Sequence, residues 1–422
     1  MVSFPRQAYI SFLCAALFYL YQFILRVSPS VMVSDMMTAF HIDAVGVSLL
    51  SSIPLYAYSL MQIPAGIFAD TFGVRRCLLM SIFLCMSGAF LFGIAEHFWV
   101  AICARLLVGI GSASAFLSVA KVALEGFGAK NQSLFFGFAM VAGTIGALNG
   151  GNAIALFLEY LTWREVILIL GAFGSLVWIL NFYGLKKKKK ISSLEVLEKK
   201  LEGETLKASS SLMAIIKTPQ CWISGIVALG MYSCLSVLAD LWGISFCMQA
   251  YAITRMEAAQ LTSLIYVGLC LGSLVIPFLS DRVFSKKSLI IVGALGILLS
   301  LILIGVLTNP SLLVVGSLFF SIGFFIGAEL LCFTLACEAG PKGSEGTITG
   351  FINGIIMMGG ALLQYFFGLI LEHNWQGQVS ALGTPLYSKE AYYQALLLLV
   401  VVLVLSIIGA LFISKNPIRP RQ

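Results

Sequence analysis

Twelve apolar runs, each about twenty residues long, constrain this chain more than any other feature. They lie near 8–34, 45–68, 77–95, 98–123, 133–158, 165–185, 220–247, 258–279, 288–307, 311–336, 345–371 and 392–414. A helix of that length spans a hydrocarbon layer and satisfies its own backbone, which lipid cannot do for it. Strands of a membrane barrel would instead show short alternating segments. Only 11% of the 422 residues are charged, against about a quarter in water-soluble domains. The expected fold is all-α and integral to a membrane, with twelve transmembrane helices.

The net charge of +7 raises the possibility of a nucleic-acid or anionic partner, and its distribution argues against both. With the N-terminus in the cytoplasm, Arg6, Arg75, Arg76, Lys130, Lys186 to Lys190, Arg282, Lys286, Lys287, Lys342, Lys415, Arg419 and Arg421 share one side. The opposite loops hold Arg164, Arg255 and Lys389. This asymmetry puts both termini in the cytoplasm and accounts for the charge as topology. Composition breaks at Lys186–Lys190, and the polar stretch 191–218 has spacings suited to a short amphipathic surface helix. The expected organisation is a six-helix bundle over 1–185, a basic cytoplasmic linker over 186–218 and a second bundle over 219–422. The ten cysteines fall mostly in apolar runs, without a CxxC or a histidine cluster, so no metal site or disulfide is expected. No phosphate-binding loop or nucleophile–base pair appears either, so neither an enzyme, an ATP-driven pump nor a cofactor is expected. Asn131-Gln132-Ser133 matches a glycosylation acceptor, but the topology places it in the cytoplasm.

Between the second and third runs stands Gly66-Ile67-Phe68-Ala69-Asp70-Thr71-Phe72-Gly73-Val74-Arg75-Arg76. Gly66 permits close helix approach, Gly73 a tight turn, and the two arginines hold the turn on the cytoplasmic side. The pattern returns 211 residues on, where Asp281-Arg282 answers Asp70-Thr71 and Lys286-Lys287 answers Arg75-Arg76. Such a return indicates an internally duplicated membrane protein. The turn resembles the signature between helices 2 and 3 of the major facilitator superfamily: a glycine, an acid four residues on, a second glycine, then basic residues. Thr71 stands where the family usually has a basic residue, and Pro277 replaces the first glycine of the second copy. The resemblance implies two pseudo-symmetric six-helix bundles, with Gly66, Asp70, Gly73, Arg75, Arg76, Asp281 and Arg282 as gating residues.

Polar residues inside the runs mark candidate sites. In helix 1, Tyr19, Gln22, Arg26 and Ser30 share one face by their spacing of three and four. Arg26 then faces a water-filled cavity, the competing reading being that it snorkels to the headgroups. Tyr56 and Tyr58 flank a small-residue stripe in helix 2. Adding 214 to Arg26 gives Asp240 in helix 7, so equivalent faces carry opposite charges. The two either flank a binding site on the axis between the halves or form a structural ion pair. Trp242 either stacks on a ligand or anchors the helix at an interface. Glu329 is an acid within the apolar run of helix 10, and it either carries a proton or is satisfied by a neighbouring helix. Helix 11 presents Asn353, Met357, Gly360 and Gln364 on one face. In helix 4, Arg105-Leu106-Leu107-Val108-Gly109-Ile110-Gly111 resembles the family's motif of an arginine followed by glycines, and Arg105 serves either as a proton relay or as a donor to backbone carbonyls.

The stretch Phe18–Met32 resembles helix 1 of a bacterial branch of the superfamily that includes phagosomal amino-acid transporters, and it is similar to lysosomal dipeptide carriers. Organic-anion symporters of the superfamily also place a helix-1 arginine at the site. The resemblance implies a secondary active transporter for a small amino acid, dipeptide or organic acid, coupled to protons. It implies Arg26, Tyr19, Gln22, Tyr56, Asp240, Trp242, Asn353 and Gln364 around the substrate, and Glu329, Asp240 and Arg105 in proton coupling. A monomer in a bacterial inner membrane is expected, with the lipid bilayer, the solute and protons as partners. Efflux of amphipathic compounds by proton antiport is the alternative. Helix 5 is glycine-rich but lacks the proline of the antiporter motif, which counts against it. A third reading is a non-transporting membrane sensor.

Overall fold

Each apolar run forms one helix in the computed structural model, which describes residues 5–128, 132–185, 212–282, 284–342, 344–380 and 383–413. The basic run Lys186–Lys190, the surface helix expected after it and Asn131 lie outside the described residues, as do the side chains of Asp70, Asp281 and Arg282. In the first bundle the membrane helices are α1 (Arg6–Val31), α2 (Ala44–Phe72), α3 (Val74–Ile94), α4 (Phe98–Phe127), α5 (Gln132–Phe157) and α6 (Trp163–Gly184). In the second they are α7 (Pro219–Tyr251), α8 (Arg255–Arg282), α9 (Lys286–Val306), α10 (Leu312–Ala339), α11 (Glu345–His373) and α12 (Lys389–Leu411). Several begin where an oxygen-bearing side chain satisfies an otherwise free amide. Asp43 accepts from Gly46, Thr162 from Glu165 in a reciprocal capping box, and Ser285, Ser311 and Ser388 act likewise.

The packing repeats from one bundle to the other. In the first, α1 packs on α4, α5 and α6; in the second, α7 packs on α10, α11 and α12. Across the bundles α2 packs on α11 and α8 on α5, which is one contact viewed from each half of the repeat. The outward surfaces carry Leu60, Leu313, Val401 and other apolar side chains, as a protein dissolved in lipid requires.

Close approach depends on glycine at many positions, and two sets of them hold helices that bear charged residues. On α8 and α10, Gly268, Gly272, Gly323 and Gly327 interlock at spacings of four, so that a Cβ on Gly323 would fall on the Ile265 carbonyl oxygen and one on Gly272 on that of Phe324. On α4, a Cβ at Gly109 would lie 2.5 Å from the Pro54 oxygen of α2, and one at Gly111 2.6 Å from the Ser81 oxygen of α3. The first set fixes the helix that bears Glu329; the second fixes the helix that bears Arg105.

α4 is broken by a turn at Ala113–Ser114, and three other helices depart from regular α geometry beside charged residues. α1 ends in a 3-10 turn at Ser28–Val31, just past Arg26. α7 widens into a π-helix over Leu235–Trp242, which contains Asp240. α10 tightens to a 3-10 turn at Gly327–Glu329. Such irregular turns collect at functional sites because they re-aim side chains at a cost in backbone bonding.

Candidate functional site

Arg26 and Asp240 meet where α1 crosses α7. The Arg26 Nε and Nη2 donate to one oxygen of Asp240 at 3.0 and 2.5 Å. Tyr266 of α8 donates to the other Asp240 oxygen, and Arg26 Nη2 also donates to the Tyr232 hydroxyl of α7. The remaining guanidinium nitrogen points at the Met357 sulfur of α11, 3.8 Å away. The rings of Phe23 and Tyr232 stand 5.8 and 5.7 Å from the guanidinium carbon, within reach of a cation–π contact. Asp240 is enclosed, with 2% of its side chain exposed, whereas 15% of Arg26 remains accessible. The pair therefore closes on itself from the α7 side and stays approachable on the Arg26 side.

Helical spacing brings several further residues to this level. Tyr19 is buried two turns before Arg26, edge-on to Phe23 at 5.2 Å. Gln22 is buried and has no hydrogen-bond partner among the described residues. Tyr58 is half-buried and lies within electrostatic range of both Arg26 and Tyr19. Glu329 is half-buried, within electrostatic range of Arg26, and without a hydrogen-bond or ion-pair partner among the described residues. Asn353 of α11 is half-buried, and Ser59 of α2 donates to the Gly354 carbonyl beside it at 2.9 Å. Together these make a two-signed, aromatic-lined site between the bundles.

Four expected residues stand apart from that cluster. Tyr56, also half-buried, faces Tyr365 rather than Arg26. Trp242 is fully buried and stacks on Phe367 at 6.0 Å, within the second bundle. Gln364 is fully buried and donates to the Ser236 carbonyl at 2.7 Å, bracing the π segment. Arg105 is 3% exposed and donates to two backbone carbonyls, Leu50 at 3.1 Å and Leu25 at 3.0 Å. Sequence reasoning missed Tyr232 and Tyr266. Tyr232 carried a signal, since it lies eight residues before Asp240 and so two turns away on one face; Tyr266 sits on another helix and carried none.

The bundles meet around and above this site, at the distal end that bears Asp35, Arg255 and Tyr387. There Arg255 pairs with Asp35 across the bundles at 3.0 Å. The Tyr387 hydroxyl accepts from the Ala44 amide at 2.9 Å and donates to Glu372 at 2.6 Å. Burial, with Glu372 beside it, pushes the Tyr387 phenol well above its ordinary pKa, so it remains a donor. Ser263 of α8 donates to Asn152 of α5 at 3.0 Å. Toward the opposite, basic end, glycines on these helices have no cross-bundle neighbour. A Cβ on Gly66 would meet only Leu117 of its own bundle, and one on Gly137, Gly346 or Gly350 would meet nothing within 4 Å. The turn at Gly73 has φ +86, a conformation that glycine adopts freely. Arg75 donates to the Phe182 carbonyl at 2.7 Å and stacks over its ring, within the first bundle, while Arg76 is exposed.

A sequence model described as the Major Facilitator Superfamily matches residues 11–364. The membrane sensor protein UhpC of Escherichia coli (strain K12) is 23% identical over 231 residues, which are 51% of this chain and 52% of that one. The sialic acid transporter NanX of the same strain is 23% identical over 232 residues, covering 54% of this chain and 53% of that one. The chain thus spans about half the length of these two relatives. A crystal structure of a bacterial homologue of the human lysosomal transporter Spinster, inward-facing and occupied, superposes with a TM-score of 0.73 and 18% identity over 98% of both chains. At that identity the likeness is one of fold.

Proposed function

The chain belongs to the Major Facilitator Superfamily, and on that premise we propose that it is a secondary transporter for a small carboxylate-bearing solute: an amino acid, a dipeptide or an organic acid. The observation that carries this reading is the Arg26–Asp240 pair, which joins the two bundles. A guanidinium that already holds one carboxylate can hold another. When Asp240 takes up a proton its claim on Arg26 weakens, and the solute carboxylate replaces it. The site then stays neutral overall, which avoids an unpaired buried charge in either condition. Solute and proton are thereby coupled.

Two bundles that touch at one end and part at the other suit alternating access, in which they rock about a central site. The positive-inside asymmetry assigns the basic end to the cytoplasm, so this conformation is closed to the outside. Asp70, Gly73, Arg75 and Arg76, with Asp281 and Arg282 in the second copy, belong to the gate at the cytoplasmic end, and Gly66 lets α2 close there. Glu329, half-buried and without a hydrogen-bond or ion-pair partner among the described residues, is the second proton-carrying group. Each chain contains its own site, which fits a monomer in a bacterial inner membrane.

The test compares Arg26→Lys and Arg26→Ala in proteoliposomes and in binding to purified protein. Losing a charge-assisted hydrogen bond costs about 1.5–3 kcal/mol, or at least about tenfold in affinity. The native acid should lose that much in the Lys variant and more in the Ala variant, because ammonium cannot offer the parallel donors of guanidinium. An amide or ester analogue should bind the wild type poorly and lose little further in Arg26→Ala. Equal damage to acid and analogue would make Arg26 a purely structural partner of Asp240. Cationic dyes handled equally by wild type and Arg26→Ala would favour the efflux alternative. The name of the UhpC relative motivates a sensor as second reading. Binding without accumulation in sealed vesicles would favour it.

A further inference from the structure

In an α-helix each carbonyl accepts from the amide four residues on, and a proline has no amide hydrogen to give. Leu25 stands four residues before Pro29, and Leu50 four residues before Pro54. These are the two carbonyls to which Arg105 donates, Nη1 to Leu25 at 3.0 Å and Nε to Leu50 at 3.1 Å. We propose that Arg105 is a positioning residue that replaces the two hydrogen bonds removed by Pro29 and Pro54, and so fixes α1 against α2 and α4 at the residue preceding Arg26.

The surroundings fit this role. Arg105 and Gly109 lie one turn apart on α4, opposite Leu50 and Pro54, which lie one turn apart on α2. Gly109 allows the contact, since a Cβ there would come within 2.5 Å of the Pro54 oxygen. Phe92 covers the guanidinium, its ring centre 5.8 Å from the central carbon. The Ser28 hydroxyl gives Leu25 a second, longer bond at 3.2 Å, and no donor besides Arg105 is recorded for the Leu50 carbonyl outside its own helix. Arg105 has no ion-pair partner among the described residues. A guanidinium has no acceptor site and keeps its charge, so its two bonds hold α1 and α2 without passing a proton. Because Leu25 is covalently next to Arg26, a shift of α1 at Leu25 moves the guanidinium that meets Asp240.

The proposal separates from a proton-relay role through the prolines. Arg105→Ala is made in the native protein and in a Pro29→Ala/Pro54→Ala background, where alanine supplies both missing amides. Melting temperature in detergent and initial uptake of an organic acid are measured for each. In the native background the substitution should lower uptake at least about tenfold and the melting temperature by several degrees, as expected when two buried acceptors lose their donor. In the proline-free background the same substitution should change uptake by no more than about twofold, the scatter of independent sites. The pH profile of uptake should stay where it was. Equal losses in both backgrounds, or a shifted pH profile in the rescued protein, would overturn the proposal in favour of a proton role. Should the double proline variant fail to fold, Pro54→Ala alone, in the interior of α2, permits the same comparison by melting temperature. The uptake arm rests on the transport reading, whereas the melting arm does not. Absence of uptake in every variant would therefore count against transport and leave the proline comparison standing.

Discussion

Asp240→Asn keeps the shape of the side chain and removes one charge from the pair that joins the bundles. Arg26 then stands 85% enclosed, with no carboxylate against it. Breaking a buried ion pair by removing one partner costs about 3–5 kcal/mol, because the surviving charge is left without compensation. The accessible part of Arg26 relieves some of this through water, so about 3 kcal/mol is the working figure. If the pair exists only when the distal end is closed, the whole cost falls on that conformation. At about 1.4 kcal/mol per power of ten, the closed-to-open ratio should drop roughly a hundredfold. Hydrogen–deuterium exchange reads this directly. Distal segments 32–43 and 375–388 should exchange faster in Asp240→Asn, while the basic-end turn around Gly73 should exchange more slowly. An apparent loss of stability without redistribution between the ends would refute the assignment of the pair to one conformation. So would unchanged exchange at both ends.

Glu329→Gln should abolish proton-driven accumulation yet leave counterflow exchange of solute and the melting temperature close to wild type, since the carboxylate has no partner to lose. Accumulation by this variant in a pH gradient would remove Glu329 from proton coupling and leave Asp240 as the coupling group. Gly272→Ala and Gly323→Ala should each cut folded yield in membranes, because overpacking costs about 1–3 kcal/mol and their Cβ atoms fall on backbone oxygens. Gly137→Leu and Gly350→Leu should fold normally and slow transport, as the space they fill is open here and must close in the opposite conformation. Normal transport by both leucine variants would mean that the basic end never closes on these faces.

Much of the fold was legible because hydrocarbon leaves few choices. Twelve runs gave twelve helices, and the 211-residue return of the basic turn pointed to the paired bundles. The pairing of Arg26 with Asp240 was legible for a related reason. Equivalent helices in a repeat put equivalent faces on the axis, so two opposite charges 214 residues apart were bound to stand near each other. Nearness in sequence was a poor guide along α7. Trp242 lies only two residues from Asp240, but two residues of helix turn a side chain to the opposite face. Trp242 stacks on Phe367 inside its own bundle. Gln364 was read as a face of α11 without knowing that the π segment of α7 offers it the Ser236 carbonyl. Tyr266 illustrates another limit: its contact with Asp240 depends on how closely α8 approaches, and no spacing along one helix encodes that.

The repeat also explains why the site lies beside irregular backbone. Opposite charges in lipid need donors and acceptors arranged around them, and a regular helix offers neither from its own backbone. Here α1 ends in a 3-10 turn after Arg26, α7 opens into a π-helix around Asp240, and α10 tightens at Glu329. These helices occupy corresponding places in the repeat: α1 answers α7, while α4, which contributes Arg105, answers α10, which contributes Glu329. One bundle thus supplies the cations and the other the acids. In this conformation Arg26 meets Asp240, Arg105 is bonded to backbone carbonyls, and Glu329 has no partner among the described residues. Of the four charges, only the Arg26–Asp240 pair is made across the bundles. It is therefore the interaction through which a change of protonation or of bound carboxylate can reach the relative position of the bundles.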